Sequence, residues 1–123
     1  MRVILSALAI LGALHTSQAA AQENKVVVEL YTSQGCSSCP PADALLADLV
    51  GRDDVIPLAL HVDYWDYLGW KDDFASAAFT ARQHGYAQAA HATTVYTPQM
   101  IIGGQAQVIG SKGMDVMDHI ADQ

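Results

Sequence analysis

Two cysteines occur in the chain, three positions apart, in Cys36-Ser37-Ser38-Cys39. A disulfide between them would close almost no loop, and chain-entropy stabilisation grows with the length of the loop closed. Small exported domains that depend on disulfides for stability carry several across long spacings. The pair is therefore better explained by chemistry than by stapling. In disulfide exchange the attacking species is a thiolate, and a helix N-terminus stabilises it, lowering a thiol pKa from about 8.5 toward 3.5–7.5. Cys36 is placed to be that thiolate, and Cys39, one turn on, to resolve the mixed disulfide. An inert, permanently oxidised pair is the competing reading. So is a metal half-site, since two soft thiolates suit Cu(I), although no His stands at local ligand spacing.

The elements that must position this pair follow from periodicity. Residues 26–31, Val-Val-Val-Glu-Leu-Tyr, are apolar on both alternating faces, as a central strand covered on both sides requires. Residues 32–35 read as a loop. Pro40-Pro41 suit a first helical turn, Leu45, Leu46, Leu49 and Val50 form one apolar stripe, and Gly51 stops it. A second strand over 55–62 leads into an aromatic loop with Tyr64, Trp65, Tyr67 and Trp70, in which Asp63 and Asp66 read as solvated turn residues. A second helix is expected to open on Asp72-Asp73 and to end near His84-Gly85. After a polar, Ala-rich stretch come Thr97-Pro98 and two short apolar runs around Gly103-Gly104, the pattern of a hairpin. Ser111 can cap a last helix with Val116, Met117, Ile120 and Ala121 facing inward. The order is β-α-β-α-β-β-α. His61, His84 and His91 are scattered, which suggests structural or exposed roles.

The N-terminus reads as a secretory signal. Met1-Arg2 gives a positive start, residues 3–14 are almost wholly apolar, and small residues gather at 17–21. The apolar run stops at His15, short of the roughly 20 residues that span a bilayer. Residues 1–21 are thus expected to be a signal peptide and 22–123 one domain, periplasmic or secreted, with no membrane insertion after cleavage. With 51% hydrophobic and 15% charged residues in 123, the chain can bury one core. Its formal charge of −7, from 6 basic and 13 acidic residues, makes nucleic acid and anionic membranes poor partners.

The strand–loop–Cys-x-x-Cys–helix unit, with Thr97-Pro98 directly before an antiparallel hairpin and a closing helix, resembles the thioredoxin-like superfamily. More closely, residues 28–43 with the cysteine pair, residues 61–66 (His-Val-Asp-Tyr-Trp-Asp) and Thr97-Pro98-Gln99 resemble a family of exported bacterial proteins catalogued as a domain of unknown function. The resemblance implies an α/β, thioredoxin-like fold with a central mixed sheet flanked by helices. It implies a cis Thr97-Pro98 bond beside the cysteines, with Thr97 offering its backbone to a substrate chain. It offers Glu29 as a buried carboxylate beneath the site; an edge-facing polar residue is the other reading. Redox members of the superfamily carry Gly-Pro between the cysteines and Trp before the first, where this chain has Ser37-Ser38 and Gly35. The hydroxyls could favour the reduced form and so a more oxidising couple. Members of the closer family continue into a β-rich segment, which leaves a truncation at Gln123 open.

The leading expectation is an exported thiol–disulfide oxidoreductase acting on protein or small-molecule thiols and disulfides. Cys36 and Cys39 would be catalytic, and Thr97, Pro98 and Trp65 would contact substrate, with no cofactor and no metal. The aromatic loop follows the carboxyl end of the second strand, the edge where open α/β sheets bind ligands. Either Trp could equally pack inward. The alternatives are a Cu(I)-binding thioredoxin-like protein and a non-catalytic thioredoxin-like interaction domain.

Overall fold

The computed structural model describes residues 24–123; the expected signal peptide over 1–21 lies outside the described residues. The elements are β1 (Val26–Thr32), α1 (Pro40–Leu49), β2 (Val55–His61), a 3-10 turn (Asp66–Leu68), α2 (Ala77–Ala89), β3 (Gln99–Ile102), β4 (Ala106–Ile109) and α3 (Gly113–Ala121). The sheet order is β2-β1-β3-β4, with β1 and β2 parallel and β3 antiparallel to both β1 and β4. This mixed four-stranded sheet with helices on both faces is the expected α/β fold, and its order fits a thioredoxin-like arrangement. Among the described residues no helix is long and apolar enough to cross a membrane.

β1 is an inner strand, and its alternation divides the core in two. Val28 and Leu30 join Ala42, Leu46 and Leu49 of α1, Val116 and Ile120 of α3, and Met100 and Ile102 of β3 in one cluster. Tyr31 points the other way and packs with Val62, Ile101, Tyr64, Trp65 and Tyr86. Both faces are covered, which is why the strand carries apolar residues at consecutive positions. β2 lies at the edge, where Pro57 costs no inner ladder bond, and leaves Ile56 and Leu58 about two-fifths exposed.

Three helix expectations need correction. α1 ends at Leu49, so Val50 falls beyond the sheet's cover and is 69% exposed. α2 starts at Ala77, not at Asp72-Asp73, because Ser76 takes the N-cap position and accepts the Ala78 N–H at 3.2 Å. It runs through Gly85 to Ala89, and the interior glycine costs it about 1 kcal/mol of propensity. In α3 the residue at the cap is Lys112 rather than Ser111, and it makes no side-chain cap bond. Val116 and Ile120 face inward as expected, whereas Met117 is 38% exposed and Ala121 is exposed. The hairpin turns through Gly103 and Gly104 at φ 59° and 71°, a region where a side chain would be strained.

Candidate functional site

Cys36 and Cys39 are joined by a disulfide at the carboxyl end of β1, against the start of α1. Cys36 retains 4% of its surface and Cys39 none, so both cysteines are buried and what little exposure the pair keeps belongs to Cys36. The loop is fixed by the Cys36 N–H on the Ser33 carbonyl at 3.1 Å and the Cys39 N–H on the Cys36 carbonyl at 3.2 Å. Thr32 ties strand to helix, its hydroxyl donating to Asp43 in the first turn at 2.7 Å.

The helix start has a property that sequence reasoning missed. Pro40 and Pro41 occupy its first two positions and have no N–H. The Ala42 and Asp43 N–H groups both go to the Cys39 carbonyl, at 2.9 and 3.0 Å. The backbone donors that ordinarily converge at a helix N-terminus are absent or engaged here, leaving the macrodipole. A short hydrogen bond to Cys36 comes from elsewhere: the Thr97 hydroxyl donates to its Sγ at 3.1 Å. Ser38 Oγ lies 3.6 Å from the same sulfur.

Thr97 precedes Pro98 in a cis peptide bond at the entry to β3, directly beside the disulfide. Pro98 is buried, and its carbonyl accepts the Gly110 N–H at 3.0 Å. Trp65 is half-buried rather than open, and its indole N–H donates to Thr97 Oγ1 at 2.8 Å. The Trp lies tight on the cysteine loop, since a Cβ on Gly35 would sit 3.1 Å from Trp65 Cβ. The structure thus brings Cys36, Cys39, Thr97, Pro98 and Trp65 together. The open aromatic surface lies further along, in Tyr67, Leu68, Trp70 and Phe74, each more than half exposed. Trp70 is anchored to the cysteine loop through its N–H on Gln34 Oε1 at 2.9 Å.

Two buried polar groups lay behind the sequence pattern. Asp72, expected on a helix turn, is 1% exposed. Its carboxylate accepts the Gln34 N–H at 2.9 Å, His61 Nδ1 at 2.6 Å and the Phe74 N–H at 2.9 Å. Burial pushes its pKa up, but these donors, Gln34 foremost, outweigh that and hold the carboxyl below the usual range. Asp63 and Asp66 are not merely solvated turn residues either: Asp63 accepts the Thr80 hydroxyl at 2.7 Å, and Asp66 the Asp72 N–H at 3.1 Å. Gln83, fully buried on α2, accepts from Tyr64 at 2.9 Å and donates to the Tyr96 carbonyl at 2.8 Å and to Gln99 at 2.9 Å. It thereby holds the segment that delivers Thr97. No local spacing announces the pairings of Asp72 with His61 and Gln34 or of Gln83 with Gln99, because these partners are 11 to 38 residues apart.

Glu29 is 1% exposed, which overturns the edge-facing reading. Its carboxylate is held by Arg82, by Tyr86 at 2.5 Å and by Tyr31 at 3.4 Å. Burial, then the Glu29 charge, raises the Tyr31 pKa well above its ordinary value. The hydrogen bond to Glu29 likewise raises that of Arg82. Glu29, Arg82 and Tyr86 line an open cleft of about 520 Å³ with Lys25, Gly103 and Gly104. Those glycines follow Ile102, which pairs with Val28, whereas the disulfide follows the other end of β1. Among the described residues, none of Glu29's hydrogen-bond partners also bonds to a cysteine sulfur. Among the described residues no group of three or more His, Cys, Asp or Glu side chains gathers to hold a metal.

A disulfide of Cys-x-x-Cys spacing at the end of a central strand, with a cis-proline segment against it, defines an α/β domain fitted with a redox-type motif. The chain belongs to the family described as protein of unknown function, DUF1223, whose pattern matches residues 27–123. It is also similar to a crystal structure of a protein from Agrobacterium tumefaciens, at 48% identity over 84% of this chain with a TM-score of 0.77. The chain spans 46% of that protein's length. No curated protein matches it.

Proposed function

We propose that the protein is an exported thiol–disulfide oxidoreductase, with Cys36 as the exchanging sulfur, Cys39 as the resolving one, and protein or small-molecule thiols and disulfides as substrates. The observation that carries this is the Thr97 hydroxyl bonded to Cys36 Sγ beside the disulfide. That donor meets a weak acceptor in the disulfide and a strong, charged one in the thiolate, so it favours the reduced form. Export rests on the N-terminal sequence, and the oxidising compartment it leads to permits the bond.

In one direction a substrate thiol loses its proton and its thiolate attacks Cys36 Sγ. The Cys36–Cys39 bond breaks, and Cys39 leaves as a thiolate that takes up a proton. The second substrate thiol, deprotonated, attacks the substrate sulfur of the mixed disulfide and expels Cys36 as a thiolate. Two electrons have passed from a substrate dithiol to the cysteine pair, one of the two substrate protons ends on Cys39 and the other goes to solvent while Cys36 stays a thiolate, and the substrate leaves as a disulfide. The reverse direction uses the same bonds. Thr97-Pro98 would lie alongside the substrate chain, with the exposed ring of Trp70 as an apolar wall.

A redox titration of the purified protein in glutathione buffers, with and without Cu(I), tests this. One reversible two-electron transition is expected. A pair that no mild thiol reduces would favour an inert disulfide and a non-catalytic domain, and stoichiometric copper retention without exchange would favour a Cu(I) carrier.

A further inference from the structure

We propose that Trp65 is a positioning residue for the Cys36 thiolate, acting through Thr97: its indole N–H fixes the Thr97 hydroxyl so that the single hydroxyl proton is directed at Cys36 Sγ. The inference rests on the oxidoreductase reading and names the residue that poises its reactive sulfur. A threonine hydroxyl has one proton and two lone pairs, and it rotates to suit its surroundings. An indole N–H can only donate. With that donor 2.8 Å from Thr97 Oγ1, the hydroxyl must accept there, and its proton turns to the sulfur 3.1 Å away. The double proline makes this contact matter, because the first turn of α1 lacks two N–H donors and spends the next two on the Cys39 carbonyl.

The indole is itself held in place. Its ring packs in the cluster with Tyr31, Val62 and Ile101, and the missing side chain of Gly35 lets the Trp65 Cβ and carbonyl lie close against the cysteine loop. The partial burial of Trp65 and Thr97 keeps water from replacing either bond cheaply. When the disulfide is reduced, the preset hydroxyl becomes a charge-assisted donor with no reorientation needed. No proton is transferred along the chain of bonds; its effect is to lower the thiol pKa and favour the dithiol.

The test measures alkylation rate against pH in the full-length protein with Cys39→Ser, so that only Cys36 titrates. Thr97→Val is expected to raise the Cys36 pKa by about one to two units, since a hydrogen bond to a charged group is being removed. Thr97→Ser restores it. Trp65→Phe keeps a ring against the Tyr31, Val62 and Ile101 cluster but removes the N–H, and raises the pKa by about half a unit or more, with no further rise when added to Thr97→Val. If Trp65→Phe compromises folding, 3-benzothienylalanine at position 65 keeps the indole shape without its N–H and should give the same shift. A pKa unmoved by the Trp65 replacements, or moved by them equally when Thr97 is already Val, overturns the proposal. The two readings fail separately: a Trp65-dependent thiolate in a protein that exchanges no disulfides sinks the oxidoreductase, and a reversible couple indifferent to Trp65 sinks the relay.

Discussion

Cys36 and Cys39 carry the same functional group in unequal surroundings. Cys39 is sealed at the N-cap of α1, where burial disfavours its thiolate, whereas Cys36 keeps a small opening and accepts the Thr97 hydroxyl. Cys39→Ser is therefore expected to leave a thiol that alkylates readily and traps mixed disulfides, and Cys36→Ser a thiol that labels slowly near neutral pH. Rates measured against pH for both variants check this; a Cys36 that titrates at or above the model value of about 8.5 would remove the physical basis for exchange. The spacing of the cysteines and the Thr97-Pro98 pair could be read from the sequence, the first by chemistry and the second by resemblance. The role of Trp65 could not, because an aromatic in a loop reads equally as a wall or as core until its N–H is seen on Thr97. The missing N–H groups at Pro40-Pro41 were readable in principle, for two prolines at a helix start always remove two donors.

β1, α1 and the glycine hairpin followed from periodicity because each has one dominant apolar pattern and an unambiguous stop. α2 did not, since it buries only Gln83 and Ala87 along thirteen residues and offers no stripe to read. Its start was misplaced because two acids ahead of a helix look like a first turn, while Asp72 is in fact engaged by Gln34, His61 and Phe74. The edge position of β2 was readable in principle from Pro57, a residue that inner strands exclude, but was not drawn from it. The α1 stripe yields a sharp contrast. Leu46 is 7% exposed within the core cluster and Val50 is 69% exposed. Leu46→Ala should cost about 2–5 kcal/mol in urea unfolding. Val50→Ala should stay within about 0.5 kcal/mol. Equal losses would mean that the helix presents a different face to β1.

Asp72 joins parts of the molecule that the chain keeps far apart: the loop before Cys36, the end of β2 and the approach to α2 meet on one carboxylate. Its effect is therefore on the stability of the whole domain, and it depends on pH. Burial opposes the charge, yet the Gln34 N–H, His61 and the Phe74 N–H together place the folded-state pKa below the ordinary value. A carboxyl of this kind binds fewer protons folded than unfolded, so its stabilisation is present above the unfolded value of about 3.9 and is lost as pH falls through the folded value. Asp72→Asn keeps the size but removes the charge, and an amide cannot satisfy three donors with its single oxygen. At pH 7 the variant should be less stable by about 1.5–3 kcal/mol, the range for hydrogen bonds to a charged group. Below about pH 4 the gap between the two proteins should begin to narrow, and it closes as pH falls through the folded value, because protonation then takes from the parent what the substitution took from the variant. Urea titrations at intervals from pH 7 to pH 3 measure the gap, and the difference between the two proteins removes the background of the other acidic residues. A gap that stays constant down to pH 3 would assign the loss to packing and leave the charge on Asp72 without a structural role.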